Sequence, residues 1–199
     1  MGLALDEKNR VLYWADQTLG KIQRKPLDGG PIEDVADNIE EPSGVAVDAE
    51  GGQVFFLSFD LGIVYGRDID LSQDKYEVAT TYSPYGIVVD ATNEKLYWSS
   101  RSDNEIQRWD IGFFGQAPET FLSGLNKPMG LTIDADAGML YWVSEGTQML
   151  HRAALDGSGG IEDLAPAAEG LAVPYYLSVG FYAELEVAPS TTTSTFSSA

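Results

Sequence analysis

The feature that most constrains this chain is a four-fold internal repeat. A short segment led by Gly recurs as GLALD at 2–6, GVAVD at 44–48, GIVVD at 86–90 and GLTID at 130–134. Twelve residues after each Gly comes the second member of an aromatic pair, at Trp14, Phe56, Trp98 and Trp142. Self-similarity at a fixed period of about 42 residues is typical of repeat architectures, in which each unit buries its faces only against its neighbours.

Each unit is predicted to form four short β-strands joined by polar turns. In the first unit these are GLALD, RVLYWAD, KIQRKPL and IEDVADN, and LDGG at 27–30 supplies the positive φ angles of a tight turn. No window shows a sustained apolar period of about 3.6 residues, so helix is expected to be scarce. Four strands in about 42 residues match a β-propeller blade. The sequence therefore predicts an all-β propeller of four-stranded antiparallel blades.

The motifs resemble the Tyr-Trp-Thr-Asp (YWTD) propeller repeats, also known as LDL-receptor class B repeats. The stretches LYWADQTLGKIQRKPLDG at 12–29 and LYWVSEGTQMLHRAALDG at 140–157 carry the aromatic pair, the arginine and the Leu-Asp-Gly turn of that pattern. The Thr place holds Ala15, Leu57, Ser99 and Val143, and the Asp place holds Asp16, Ser58, Ser100 and Ser144. The resemblance implies a six-bladed propeller of roughly 250 residues, which is longer than the 199 residues of this chain.

The predicted propeller domain covers residues 1–188. Its blades span about 2–42, 43–84, 85–128 and 129–172, with a degenerate strand pair at 173–188 and a Ser- and Thr-rich tail at 189–199. The tail composition predicts disorder or a stalk. Three explanations of the length stay open: part of a six-bladed ring, a small complete propeller, or a ring assembled from several chains. An incomplete ring exposes apolar blade faces, which favours self-association.

Composition narrows the class of function. The net charge of −19 argues against a nucleic-acid partner and against anionic lipid, and it favours a basic protein partner. The absence of cysteine excludes disulfides, thiolate catalysis and cysteine-ligated zinc. No apolar run is long enough to insert into a membrane, and no signal peptide is visible in this segment. An extracellular location is implied by the YWTD resemblance alone.

Few residues suggest chemistry, and no catalytic residue or cofactor is predicted. The single histidine, His151, is expected at a polar surface position. The stretches DIDLSQD at 68–74 and DADAG at 134–138 resemble the start of calcium loops but lack the required Gly and closing Glu, so calcium is left open and no metal site is predicted. The repeated Asp6, Asp48, Asp90 and Asp134 are expected to cap turns, and the repeated Arg24, Arg108 and Arg152 to pair with a turn Asp or a neighbouring blade's aromatic ring.

Residues that do not recur are the candidates for partner contact, because repetition accounts for the others. They are Phe113 and Phe114 in one turn, Arg101 and Asp103 in one loop, and Tyr85 and Tyr175 beside the Pro positions. Acidic residues in loops or at strand ends, at positions 40, 41, 60, 103, 105 and 145, are expected to face a basic surface. The sequence thus favours a non-catalytic module that binds a protein or peptide. The alternative is a metal-dependent lactone or ester hydrolase like the gluconolactonase and strictosidine-synthase-like propellers.

Overall fold

The computed structural model describes residues 2–113 and 115–166. Those residues form sixteen β-strands and no helix. Blade 1 holds β1 (Leu3–Asp6), β2 (Val11–Asp16), β3 (Lys21–Pro26) and β4 (Glu33–Ala36); blade 2 holds β5 (Pro42–Asp48), β6 (Gln53–Ser58), β7 (Ile63–Asp68) and β8 (Tyr76–Thr80). Blade 3 holds β9 (Pro84–Asp90), β10 (Lys95–Ser100), β11 (Glu105–Asp110) and β12 (Glu119–Leu122); blade 4 holds β13 (Pro128–Asp134), β14 (Met139–Ser144), β15 (Met149–Ala154) and β16 (Glu162–Pro166).

Each blade is an antiparallel sheet whose strands follow one another in chain order. The four sheets confirm the predicted β-propeller fold with four blades. Phe114, Tyr175, the expected strand pair at 173–188 and the tail at 189–199 lie outside the described residues.

The two members of each aromatic pair lie on opposite faces of their sheet, because successive side chains of a strand point to opposite faces. In blade 3, Trp98 packs with Phe55 and Leu57 of blade 2, whereas Tyr97 packs with Trp142 of blade 4. Tyr13 of blade 1 and Phe56 of blade 2 meet in the same way. The core is therefore three successive inter-blade layers, as the repeat predicts.

The first strands of the blades, β1, β5, β9 and β13, lie side by side in that order. Glycine permits this approach: a Cβ atom at Gly86 would lie 2.4 Å from the carbonyl oxygen of Met129 and 2.8 Å from the nitrogen of Leu131. All four strands border a cavity of about 80 Å³. This cavity marks the centre around which the blades are arranged.

The repeated polar residues stabilise the blades from within. Asp6, Asp48, Asp90 and Asp134 each accept a hydrogen bond from the backbone N–H three positions on, which confirms the turn-capping prediction with a longer offset than the two positions expected. The arginines do not pair with a turn Asp or with the ring of a neighbouring blade as predicted, although Arg108 lies over the Phe121 ring of its own blade at 4.9 Å. Arg24, Arg108 and Arg152 pair with Glu33, Glu119 and Glu162 on the fourth strand of their own blade, because β-strand register sets that pairing.

Candidate functional site

The connections between strands form two opposite faces of the molecule. The upper face comprises residues 17–20, 37–41, 59–62, 81–83, 101–104, 123–127 and 145–148. The lower face comprises residues 7–10, 27–32, 49–52, 69–75, 91–94, 111–113, 115–118, 135–138 and 155–161. Because consecutive strands are antiparallel, successive connections alternate between the two faces. The position of a loop in the chain therefore determines the face on which it lies.

The structure separates the predicted contact residues. Tyr85, Arg101 and Asp103 lie at the upper face, whereas Phe113 lies exposed on the lower face. The strand β11 runs between Asp103 and Phe113, and six extended residues span about 20 Å. These residues therefore do not form one site, and Phe113 belongs to a different surface.

Arg101 lies between two blades. Its guanidinium Nε donates to Oε2 of Glu145 at 2.7 Å, and the Lys127 ammonium lies 3.8 Å from the other oxygen of the same carboxylate. Both side chains of the Arg101–Glu145 pair are less than a third exposed. Asp103, which is exposed, accepts the hydroxyl of Ser100 at 2.7 Å. In blades 3 and 4, acidic groups of the upper face are thus matched by cations or by a hydroxyl donor.

Tyr85 begins the inner part of blade 3 and is half-buried. Its ring meets that of Phe59 edge to face at 6.5 Å, and Tyr85 borders the central cavity. Tyr85, a predicted candidate for partner contact, thus lies beside the central cavity.

Three adjoining loops of blades 1 to 3 carry a different surface. The hydroxyl of Ser58 donates to the carbonyl oxygen of Glu40 at 2.6 Å and the amide of Thr81 donates to the carbonyl oxygen of Gly62 at 2.8 Å, which ties loops 37–41, 59–62 and 81–83 together. We call five of the exposed side chains in these loops the upper patch: Glu40, Glu41, Asp60, Leu61 and Tyr82. The acidic members were foreseen, but the exposure of Leu61 was not, since only the sheet geometry turns this side chain outward.

The upper patch is distinguished by uncompensated charge beside apolar surface. Glu40, Glu41 and Asp60 form no ion pair with any described residue. Tyr82 is 69% exposed and Leu61 is 47% exposed. The loops of the lower face also carry carboxylates, but these are interleaved with Lys8, Arg10 and Lys75, of which the first two form ion pairs. The upper patch therefore offers negative charge and apolar contact to the same partner.

The histidine prediction was wrong, because His151 is buried. Its Nδ1 lies 2.7 Å from Oδ1 of Asp163, its Nε2 lies 2.9 Å from the hydroxyl of Thr147, and its ring stacks on Trp142 at 5.4 Å. This chain of groups has the order of a nucleophile, a base and an orienting acid. Blade 1 has the same cross-strand contact between Gln23 and Asp34, at 2.8 Å. The contact therefore belongs to the blade and is not evidence for catalysis.

Among residues 2–113 and 115–166, no group of three or more His, Asp or Glu side chains is arranged to hold a metal ion. The first calcium-like stretch is used locally, since Asp70 accepts the amide of Ser72 at 2.9 Å and Asp68 accepts the side chain of Gln53. In the second stretch, Asp134 caps its own turn. No described helix has the length and apolar character needed to cross a membrane.

No protein-family model matches the chain. Among curated proteins, Protein cueball of Drosophila persimilis is 29% identical over 106 residues, which is 49% of this chain and 16% of that protein. The chain thus spans about a sixth of the length of this relative. The identity is low and the shared segment short.

Solved structures share the fold over most of the chain. In the crystal structure of a nidogen/laminin complex, a chain matches with a TM-score of 0.78 and 27% identity, covering 88% of this chain and 66% of that chain. A gluconolactonase of Xanthomonas campestris matches with a TM-score of 0.72 and 18% identity, covering 88% of this chain and 64% of that chain. The second likeness shows the fold alone. Together with the repeated motifs, the first supports a β-propeller of the YWTD type.

Proposed function

We propose that this chain is a non-catalytic binding module whose upper patch recognises a protein or peptide with a basic, partly apolar surface. The observation that carries the proposal is the combination of Glu40, Glu41 and Asp60, which have no cationic partner among the described residues, with exposed Leu61 and Tyr82. Opposite charges steer association, and exposed aromatic and aliphatic side chains supply apolar contact. The nidogen/laminin complex shows that a propeller similar to this one occurs in a protein complex.

The proposal places Arg101 outside the contact surface. Arg101 is already held by Glu145, so a partner would have to compete with an intramolecular ion pair to engage it. Asp103 and Tyr85 lie at the same face and extend the proposed surface toward blade 3. Phe113 would contact only a partner that also reaches the lower face.

The test is a titration with a short labelled peptide in which Lys alternates with Leu. The double variant Glu40→Lys/Glu41→Lys is expected to weaken binding about tenfold or more, since about 1.4 kcal/mol corresponds to a factor of ten. The matched control, Asp74→Lys/Asp136→Lys, changes the net charge equally at exposed positions of the lower face. Equal weakening by both variants would show non-specific attraction by the net charge and contradict a localised site.

Salt supplies a second criterion. Added salt is expected to weaken binding of the unmodified protein and to have less effect on the Glu40→Lys/Glu41→Lys variant, because screening acts on the charges that the variant removes. Affinity that does not change with ionic strength would contradict the electrostatic part of the proposal.

An extracellular location is part of the same proposal. Its support is the likeness to the chain in the nidogen/laminin complex, together with the YWTD-type motifs. The hydrolase alternative rests on the gluconolactonase likeness, which at 18% identity reaches no further than the fold. A metal-dependent hydrolase of that kind would need asparagine and acidic ligands for its metal ion. The candidate asparagines, Asn38, Asn104 and Asn126, lie in three separate loops of the upper face. Asn104 already accepts a hydrogen bond from the amide of Lys127 at 2.9 Å.

A further inference from the structure

Blade 1 has one apolar face against which no described blade packs. The face consists of Leu3 and Leu5 on β1 and Leu12 and Trp14 on β2, which are cross-strand partners. Leu3 is 66% exposed and Leu5 is 47% exposed. Two large aliphatic side chains exposed on adjoining positions of one sheet are costly in water and mark a surface that is covered by something.

The equivalent face of blade 3 shows what kind of cover fits. Its Ile87, Leu96 and Trp98 stand where blade 1 has Leu3, Leu12 and Trp14, and all three are buried. They are covered by alternate side chains of blade 2, chiefly Phe55 and Leu57. The face of blade 1 therefore fits an extended segment whose every second side chain is aliphatic or aromatic.

We propose that residues 177–187 of this chain dock on that face. Their sequence is LSVGFYAELEV, in which every second residue is apolar: Leu177, Val179, Phe181, Ala183, Leu185 and Val187. The intervening residues are Ser178, Gly180, Tyr182, Glu184 and Glu186. Such strict alternation over eleven positions is the pattern of a strand with one buried face and one solvated face.

The distance to be bridged is compatible with the connecting chain. Leu3 of β1 and Leu131 of β13 border the same cavity of about 80 Å³, so the inner strands of blades 1 and 4 approach each other at the centre. Ten residues, 167–176, join β16 to the proposed strand. Fully extended, they reach about 33 Å. A four-stranded blade is about 15 Å wide, since neighbouring strands lie about 4.8 Å apart. The connecting residues are therefore long enough to lead from the outer strand β16 back past the inner strand β13 toward blade 1.

The absence of cysteine makes a direct test possible. The double variant Leu5→Cys/Ala183→Cys places one thiol on the open face and one on the apolar side of the segment. Under mild oxidation we expect an intramolecular disulfide, seen as a monomer with a shifted mobility on non-reducing electrophoresis and a loss of free thiol. The control, Leu27→Cys/Ala183→Cys, uses an exposed leucine of the lower face and is expected to remain at least tenfold less cross-linked.

Two outcomes would overturn the proposal. A disulfide-linked dimer formed equally by Leu5→Cys alone would show that a second copy covers the face. Equal cross-linking in the test and control variants, or none in either, would show that the segment lies elsewhere. Hydrogen exchange provides a second test that needs no cysteine variant. The amides of 177–187 are expected to exchange at least tenfold faster in Leu3→Lys/Leu5→Lys than in the unmodified protein. Unchanged exchange of these amides would also overturn the proposal.

Discussion

Tyr76 occupies space that an arginine fills in the other blades. The Arg place of blade 2 holds Gly66, and a Cβ atom there would lie 2.5 Å from the Tyr76 ring. The Tyr76 hydroxyl donates to Oε1 of Gln53 at 2.7 Å. Burial, with a smaller contribution from the charge of Asp68, raises the pKa of Tyr76 from 10.0 to about 12. The absence of a side chain at Gly66 therefore makes room for the Tyr76 ring.

The raised pKa of Tyr76 predicts a loss of stability at alkaline pH. The folded state favours the neutral phenol, so its contribution is fully present below pH 10 and is lost as the pH rises through about 12. We expect the urea midpoint to fall between these pH values, and the fall to be smaller in Tyr76→Phe, which cannot ionise. Tyr82→Phe, at an exposed position, is the control. An equal fall in Tyr76→Phe and the unmodified protein would contradict the assignment.

At the scale of the β-strand pair, blade 4 contains an unsatisfied donor. The indole Nε1 of Trp142 is buried and has no hydrogen-bond partner in the described part of the chain. In blade 3 the equivalent Trp98 donates to Oε1 of Gln107 at 2.9 Å. His151 stands at the glutamine's place and stacks on Trp142 without accepting from it. Compared with blade 3, blade 4 thus gains the stacking of His151 on Trp142 and lacks the hydrogen bond of the indole.

Replacement of His151 by Gln is expected to stabilise the protein. A glutamine there accepts from Trp142, as Gln107 does in blade 3, and donates to Asp163, as Gln23 does to Asp34 in blade 1. Satisfying one buried donor contributes about 1 kcal/mol. Urea unfolding at neutral pH measures the difference. His151→Ala, which opens a cavity, is expected to destabilise by a similar or larger amount, and a destabilised His151→Gln would show that the ring stacking matters more.

Much of each blade is encoded locally, and that part could be predicted. The spacing of Tyr97 and Trp98 after the strand Gly fixes the period, and alternation then sends the two rings to opposite interfaces. The partner of Arg108 could not be predicted, because its pairing with Glu119 depends on the register between β11 and β12. The burial of His151 likewise comes from Thr147, Trp142 and Asp163 around it, which no local pattern reveals.

The candidate site was predicted less well than the fold. Strand order alone places Asp103 and Phe113 at opposite ends of β11, so the sequence contained the signal that separates them. The ion pair of Arg101 with Glu145 joins two blades and had no signal in either repeat. Whether a loop residue is free to bind a partner depends on its contacts with other blades, and these exist only in the folded molecule.

For the whole molecule, stability is predicted to depend on contacts between neighbouring blades only. Within residues 2–113 and 115–166, the three hydrophobic clusters each join one blade to the next, and the inner strands touch in the same order. In such an arrangement, stability is approximately a sum of blade terms and nearest-neighbour interface terms. A change at one interface should then affect distant blades less than adjacent ones.

Gly86→Ala tests this architecture, because the added Cβ meets backbone atoms of blade 4, the oxygen of Met129 and the nitrogen of Leu131, which cannot move aside alone. We expect a loss of about 2 to 3 kcal/mol. Hydrogen exchange should increase most in the amides of β13 and β14, while the interface between blades 1 and 2 keeps most of its protection. Gly160→Ala, where a Cβ meets nothing within 4 Å, is the matched control. A uniform loss of protection across all four blades would mean that they unfold as one cooperative unit, and the nearest-neighbour description would then be wrong.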